Sequence, residues 1–312
     1  MPYSTGIVFF IWFFILSYFA IFRDLLWENP ELVSKLFLLW WFWFLITVIS
    51  FLDDILKVSP KIRLIVQIII WIIIWITSIK IGYISNIFGW IIDLHIYAIN
   101  IFSYEIFLIP LFFTIIWYVF IFNSLNWSDW IRGNTTGLSM ISFFILFLLW
   151  IMLFENDNYE WWVTNAYFIM KTSLILVWII LPFWYFDIKN KILMWDSGTM
   201  FLGFMLASLA IIAGWKIATV LVVFWIYSVD AIYVILKRLQ NKKSPLKWDF
   251  THLHHRLLKS WFSQTQVLTF VYSLSLIFWI SALFLDKIGK IIVFILIIVI
   301  VLFVGKIKKI KF

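Results

Sequence analysis

The chain has no cysteine among its 312 residues, which excludes disulfides, thiolate nucleophiles and cysteine metal sites and leaves the redox compartment unmarked. Charge is scarce as well. Only 13% of residues are charged, against 65% hydrophobic and a mean hydropathy of +1.04, far outside the range of a soluble protein. The N-terminus lacks a basic segment and a small-residue cleavage site, so no cleavable signal peptide is expected. No internal repeat or low-complexity linker divides the chain, which predicts a single membrane-embedded domain over residues 1–312. Glycine is the most informative shortage: the chain has 10 glycines and 22 tryptophans, where ordinary usage of roughly 7% predicts about 22 glycines.

What fills the chain is apolar sequence in long runs. Ten of them, at 7–22, 36–51, 64–80, 106–122, 137–153, 164–184, 199–213, 216–235, 266–284 and 289–305, approach or reach the length of a membrane-crossing helix. The fold class is therefore all-α, a polytopic integral membrane protein with about ten transmembrane helices. Lys171 falls inside the sixth run and is expected to snorkel, which would start that helix later. Residues 83–105 hold only short apolar pieces broken by Asn86, Gly89, Asp93 and Asn100, and read as an external loop. The net charge of +8 is a topology signal. With both termini in the cytosol, 17 of 24 basic residues fall on inner segments, while Glu155, Asp157 and Glu160 fall outside. Nucleic acid is not an expected partner.

Four polar clusters share that inner side. Asp53-Asp54, followed by Lys61 and Gln67, pairs carboxylates at a helix end, where a cation, a diphosphate or general-base work would compensate them; a solvated helix terminus is the plainer reading. Asn123, Asn126 and Asp129 recur every three residues, placing oxygen ligands for a hard metal or a sugar on one helix face, or else capping its end. Asp196-Ser197-Gly198-Thr199 opens a span, where free N–H groups favour phosphate and Asp196 is either an N-cap or a metal ligand. His252, His254, His255 and Arg256 lie in the longest inner loop, where no acidic pair completes a zinc site and phosphate contact fits better than a solvated basic loop. Together they describe a magnesium-dependent site for a phosphorylated substrate at the membrane surface.

These residues, in this order, resemble the polyprenyl-phosphate N-acetylhexosamine-1-phosphate transferases. Phe51-Leu52-Asp53-Asp54 with Lys61 and Gln67 is similar to the family's aspartate-pair motif, and Asn123 to Gly133 is similar to its Asn-x-x-Asn-x-x-Asp-Gly-x-Asp-Gly loop. Leu193 to Gly203 resembles its Phe-Met-Gly-Asp-x-Gly-Ser segment, and His252-Leu253-His254-His255-Arg256-Leu257 resembles the form of the GlcNAc-1-phosphate branch. The pentapeptide branch, phospho-MurNAc-pentapeptide transferase, usually shows three consecutive histidines and ranks second. The resemblance implies transfer of a HexNAc-1-phosphate, first of all GlcNAc-1-phosphate, from a UDP-sugar to polyprenyl phosphate with release of UMP, at the start of cell-envelope polysaccharide synthesis. It implies Mg²⁺ (Mn²⁺ as the alternative ion) on Asn126 and Asp196, lipid phosphate oriented or deprotonated by Asp53 and Asp54, and substrate contacts from Lys61, Asn123, Asp129, His252, His254, His255 and Arg256. It also implies a bacterial plasma membrane location with cytoplasmic termini, the bilayer as solvent, and a homodimer among the allowed assemblies.

Three departures stand out. Arg132 replaces the loop's second aspartate, a position associated with the nucleotide base. Pro2 to Ile7 resembles the family's Pro-x-x-Gly-Gly piece, which normally follows an earlier helix, so the first helix is expected to be missing. Finally, Trp130, Trp195 and Trp261 stand where the family's motifs have glycine, and Trp40, Trp41 and Trp43 stand where small residues are common. An aromatic belt at the interfaces covers Trp161 and Trp162 but not these. Some bacterial lineages read UGA as glycine and others as tryptophan. An AT-rich genome, suggested by the abundant Ile, Phe, Lys and Asn, translated with the wrong table would produce this pattern. Genuine tryptophans would favour a degenerate, non-enzymatic paralogue. A transporter would instead place its charges near the bilayer midplane.

Overall fold

The structure, a computed structural model, describes residues 5–25, 29–56, 59–76, 79–85, 91–101, 104–156, 160–213, 217–242, 244, 251–285 and 287–304. Helix α1 (Thr5–Ser17) runs through a π-helical turn (Tyr18–Phe22) into the short α2 (Arg23–Leu25). There follow α3 (Pro30–Leu56), α4 (Pro60–Ile76), α5 (Leu108–Ser128), α6 (Asn134–Asn156), α7 (Glu160–Ile188), α8 (Asp196–Ile212) and α9 (Ile217–Gln240). The short α10 (Leu253–Lys259), then α11 (Gln264–Phe284) and α12 (Lys287–Val304), complete the chain. Each of the ten apolar runs overlaps a helix over most of its length. Among the described residues, five stretches are individually long and apolar enough to cross a membrane: Thr5–Leu25, Pro30–Asp53, Leu108–Ser128, Asn134–Ile151 and Asn165–Ile188. Ile62–Trp75, Asp196–Ile212 and Ile291–Ile300 are shorter apolar stretches. The protein is a multi-pass membrane protein.

Local chemistry sets the helix starts. Asn29 caps α3, its side-chain oxygen accepting the Leu32 N–H at 3.1 Å, and Pro30 supplies the first helical position without losing a hydrogen bond. Ser59 and Pro60 repeat the arrangement at α4, where Ser59 Oγ accepts from Ile62 N–H at 3.4 Å. At α11, Ser263 and Gln266 exchange hydrogen bonds of 3.2 and 2.8 Å in a capping box.

Helix α8 is the axis of the bundle. Every residue from Ser197 to Ile212 is buried, and α1, α3 and α5 pack around it. A helix apolar on all sides belongs inside a bundle, whereas the outward faces of α1, α4 and α12 expose Trp12, Ile65, Ile69 and Ile292 to lipid. Trp43 of α3 is fully buried and stacks on Phe201 of α8 with ring centroids 4.0 Å apart.

One expectation gains detail and another needs correction. The stretch read as an external loop carries short strands. Tyr83–Ser85 (β1) pairs antiparallel with Ile91–Asp93 (β2), and Ala98–Ile101 (β3) with Tyr104–Phe107 (β4). The short apolar pieces are strand segments, too brief for periodicity to identify. Lys171 does not delay α7, which starts at Glu160. Its ammonium reaches Asp24 at 2.7 Å and the Ala20 carbonyl, in the π-helical turn, at 2.6 Å, so the charge is paired at a partly exposed position.

Candidate active site

Four elements converge on a single guanidinium. Arg63, in the first turns of α4, donates to Asp53 near the end of α3 at 2.6 Å and to Asp196, the first residue of α8, at 2.8 Å. Asn126, in the last turn of α5, donates to the other Asp196 oxygen at 2.9 Å and to Thr199 Oγ1 at 3.3 Å. The expected metal pair, Asn126 and Asp196, is therefore brought together, with Asp53 one guanidinium away. Asp196 is not the N-cap of α8; Trp195 is, and the carboxylate is free to face this cluster. Arg63 was legible in the sequence only as a topology charge. The signal that singles it out is its spacing from Gln67, which places two polar side chains on one face of an apolar helix. The N-terminus of α1 buttresses the cluster: a Cβ on Gly6 would come within 2.6 Å of the Ser197 carbonyl oxygen, so only glycine lets the two backbones approach this closely.

The remaining expected site residues divide. Asn123 turns toward α4, donating to Val119 O at 2.7 Å and to Gln67 Oε1 at 3.5 Å. Asp129 does not continue the helical face with Asn123 and Asn126, because α5 ends at Ser128 and Asp129 is its C-cap. Burial, reinforced by Asp187 and Asp196, pushes its carboxyl well above the usual range, and it shares a hydrogen bond with Thr135. The side chains of Asp54 and Lys61 lie outside the described residues, as do those of Trp161 and Trp162.

Residues 129–133 are held from behind by Asp187, which sequence reasoning missed. It accepts the Gly133 N–H at 2.8 Å and the Thr136 hydroxyl at 2.9 Å. Gly133 adopts φ +85°, a left-handed conformation in which a side chain would be strained. Arg132, which stands in place of the loop's second aspartate, donates to the Ile192 carbonyl at 2.6 Å and ties this turn to the segment before α8.

The histidine cluster is not a solvated loop. His252, His254, His255 and Arg256 are all buried around α10. Asp230 of α9 organises them: its carboxylate accepts from His252 Nδ1 at 2.8 Å and from the Leu253 N–H at 2.7 Å, with Arg256 at 3.5 Å. Asp230 lies 22 residues before His252, out of reach of any local motif. The His252 ring neighbours Trp127, and His255 neighbours Trp130, so this loop adjoins the end of α5. Burial depresses the His254 imidazole to about 3.

The three anomalous tryptophans differ in backbone. Trp195 has φ −63° and ψ 171°, an extended conformation open to any residue, so its backbone torsion does not require glycine. Trp130 is not among the described non-glycine residues with positive φ. Trp261 is, at φ +70°. It follows the C-cap of α10, its own N–H bonding to Leu258 O and that of Phe262 to Leu257 O. That is a Schellman motif with tryptophan at the position where glycine is strongly preferred. Elsewhere indoles are accommodated unevenly. Trp40 donates to Ser17 Oγ at 2.8 Å, whereas the buried N–H groups of Trp43, Trp71, Trp75 and Trp279 have no partner.

A cavity of about 220 Å³ opens between α3, α4, α5 and α8. Ile46, Ile49, Ile62, Val66, Ile70 and Phe122 line its apolar length, and it ends at Asp53, Arg63 and Gln67. The adjoining cluster suits a hard divalent cation. Carboxylate oxygens of Asp53 and Asp196 already converge on one positive group, and rotation of the Asn126 amide would present its oxygen there. Among the described residues no three His, Asp or Glu side chains are grouped so as to hold a metal ion.

Residues 36–214 match glycosyl transferase family 4. Over 273 residues the chain is 26% identical to a Bacillus subtilis (strain 168) protein named "probable undecaprenyl-phosphate N-acetylglucosaminyl 1-phosphate transferase", covering 82% of this chain and 68% of that protein. Over 264 residues it is 28% identical to the phospho-N-acetylmuramoyl-pentapeptide-transferase of Lactococcus lactis subsp. cremoris (strain SK11), covering 82% and 74%. It is also 26% identical over 172 residues to the decaprenyl-phosphate N-acetylglucosaminephosphotransferase of Mycolicibacterium smegmatis (strain ATCC 700084 / mc(2)155), covering 49% and 42%. With the matched region taking in Asp53, Arg63, Asn126 and Asp196, the chain belongs to glycosyl transferase family 4.

Proposed function

We propose that the protein transfers N-acetylglucosamine 1-phosphate from UDP-N-acetylglucosamine to undecaprenyl phosphate in the bacterial plasma membrane, with both ends of this chain cytoplasmic. A lipid-phosphate oxygen attacks the sugar-linked phosphorus, the bond from that phosphorus to the bridging oxygen breaks, and UMP leaves. The observation that carries this reading is the cavity of about 220 Å³, apolar along its length and charged at one end, which suits a prenyl chain with an anionic head. In such a reaction the protein chiefly positions phosphates and neutralises their charge. Asp53 and Asp54 would orient the acceptor phosphate. Asn126 and Asp196 would hold Mg²⁺, which when bound supplies charge neutralisation on phosphate oxygens. The His252–Arg256 segment, set by Asp230, would close over the nucleotide sugar from the side of Trp127 and Trp130.

Purified protein is tested for UMP release from UDP-N-acetylglucosamine with undecaprenyl phosphate, with Mg²⁺ or with EDTA, and with tryptophan or glycine at 130, 195 and 261. Turnover only with UDP-MurNAc-pentapeptide would move the protein to the pentapeptide branch. Inertness of both forms toward both donors would refute the transferase reading.

A further inference from the structure

The guanidinium of Arg63 sits where two carboxylates of the proposed metal cluster converge. Its two terminal nitrogens are taken, one by Asp53 at 2.6 Å and one by Asp196 at 2.8 Å, while its Nε is buried without a partner. A guanidinium that leaves one buried donor unpaired is not in its most favourable seat. The side chain is 30% exposed, so it has an open direction in which to turn. Of the two Asp196 oxygens, one is held by Arg63 and the other by the Asn126 amide, so a metal approaching this carboxylate meets the Arg63 positive charge 2.8 Å from one of its oxygens.

We propose that Arg63 is a resident counter-ion of this site: it clamps Asp53 to Asp196 in the substrate-free protein and has to release Asp196 before a divalent cation can bind. The inference rests on the transferase reading for the metal's role, but its physical content is a competition between two cations for one carboxylate. A cation that binds only after breaking an existing ion pair loses affinity by the free energy of that pair, and by reciprocity the bound metal weakens the Arg63–Asp196 contact equally. Arg63 thus sets metal affinity low in the empty protein. It makes tight metal binding depend on a phosphate substrate that supplies the missing negative charge.

The test is Mn²⁺ binding to substrate-free protein in detergent, followed by electron paramagnetic resonance, for the wild type, R63Q, R63K and D196N. R63Q is expected to bind Mn²⁺ roughly tenfold more tightly, the scale of a partly exposed ion pair with good geometry. R63K, whose single ammonium cannot span two carboxylates as a fork does, is expected to fall between wild type and R63Q. D196N is expected to abolish this binding, which identifies the site being read. Unchanged or weaker Mn²⁺ binding by R63Q overturns the proposal, and so does persistence of the binding in D196N. If R63Q does not fold, R63K decides alone by the same criterion. Wild-type UMP release is measured in parallel, so an inactive wild type refutes the enzyme reading while the Mn²⁺ series still judges the counter-ion.

Discussion

Replacing Trp261 by glycine or by alanine gives opposite results depending on whether the backbone at α10's end is as strained as its torsion implies. Trp261 holds φ +70° and is 76% exposed. Both substitutions remove the same indole, so whatever burial is lost cancels between them. What remains is the Cβ. In the left-handed region a Cβ costs roughly 1–2 kcal/mol, and glycine's extra freedom in the unfolded chain costs about 0.5–1 kcal/mol. W261G should therefore be more stable than W261A by about 1 kcal/mol, or about 2 °C in thermal midpoint. At Trp195, with φ −63°, the Cβ is unstrained, but the residue is the N-cap of α8, where glycine is preferred over alanine, so glycine's entropy cost is offset and W195A and W195G should differ by less than about 0.5 kcal/mol. Thermal unfolding of the four variants in one detergent, followed by tryptophan fluorescence, reads both differences. W261A matching or exceeding W261G would refute the strain argument. The same logic bears on the genetic code. Recoding is favoured by the backbone at 261 and is neutral by that criterion at 130 and 195. UGG codons at all three positions would remove it altogether.

D230N should keep an acceptor for the Leu253 N–H but lose the charge that holds His252 and Arg256, loosening α10 by about 1–2 kcal/mol. The readout is a roughly tenfold drop in kcat/KM for the nucleotide sugar together with faster tryptic cleavage after Arg256; unchanged values for both would refute the tether. D187A strands the buried Gly133 N–H and Thr136 hydroxyl and should destabilise the protein by about 2–3 kcal/mol, whereas a loss under about 0.5 kcal/mol would show that water replaces the carboxylate. His254, depressed to about 3, stays neutral in the folded protein while the unfolded chain takes up its proton. Stability from this group is therefore complete above about pH 6.5 and is lost as pH falls, by about 2 kcal/mol at pH 5. H254Q should lack that component of the pH dependence, and an identical slope in both proteins would show that His254 is protonated when folded.

The helices were legible because membrane spans are read from composition over long windows, where single residues matter little. The caps at Asn29-Pro30 and Ser59-Pro60 likewise depend only on residues adjacent in sequence. The failures share a cause. Arg63, Asp187 and Asp230 act on residues 133, 54 and 22 positions away, respectively, and their sequence neighbourhoods are ordinary helix. Arg132 likewise binds a carbonyl 60 residues away. Asp53, Asn126 and Asp196 were nameable as site candidates because each closes or opens a span, and spans ending on one side bring such residues into a single plane. What decides their chemistry is which cation stands among them. The sequence offered Lys61 as the nearby charge, by resemblance. The fold puts the side chain of Arg63 between Asp53 and Asp196, so the electrostatics of the site depend on where the first turn of α4 sets Arg63, a feature that no spacing rule for the carboxylates contains.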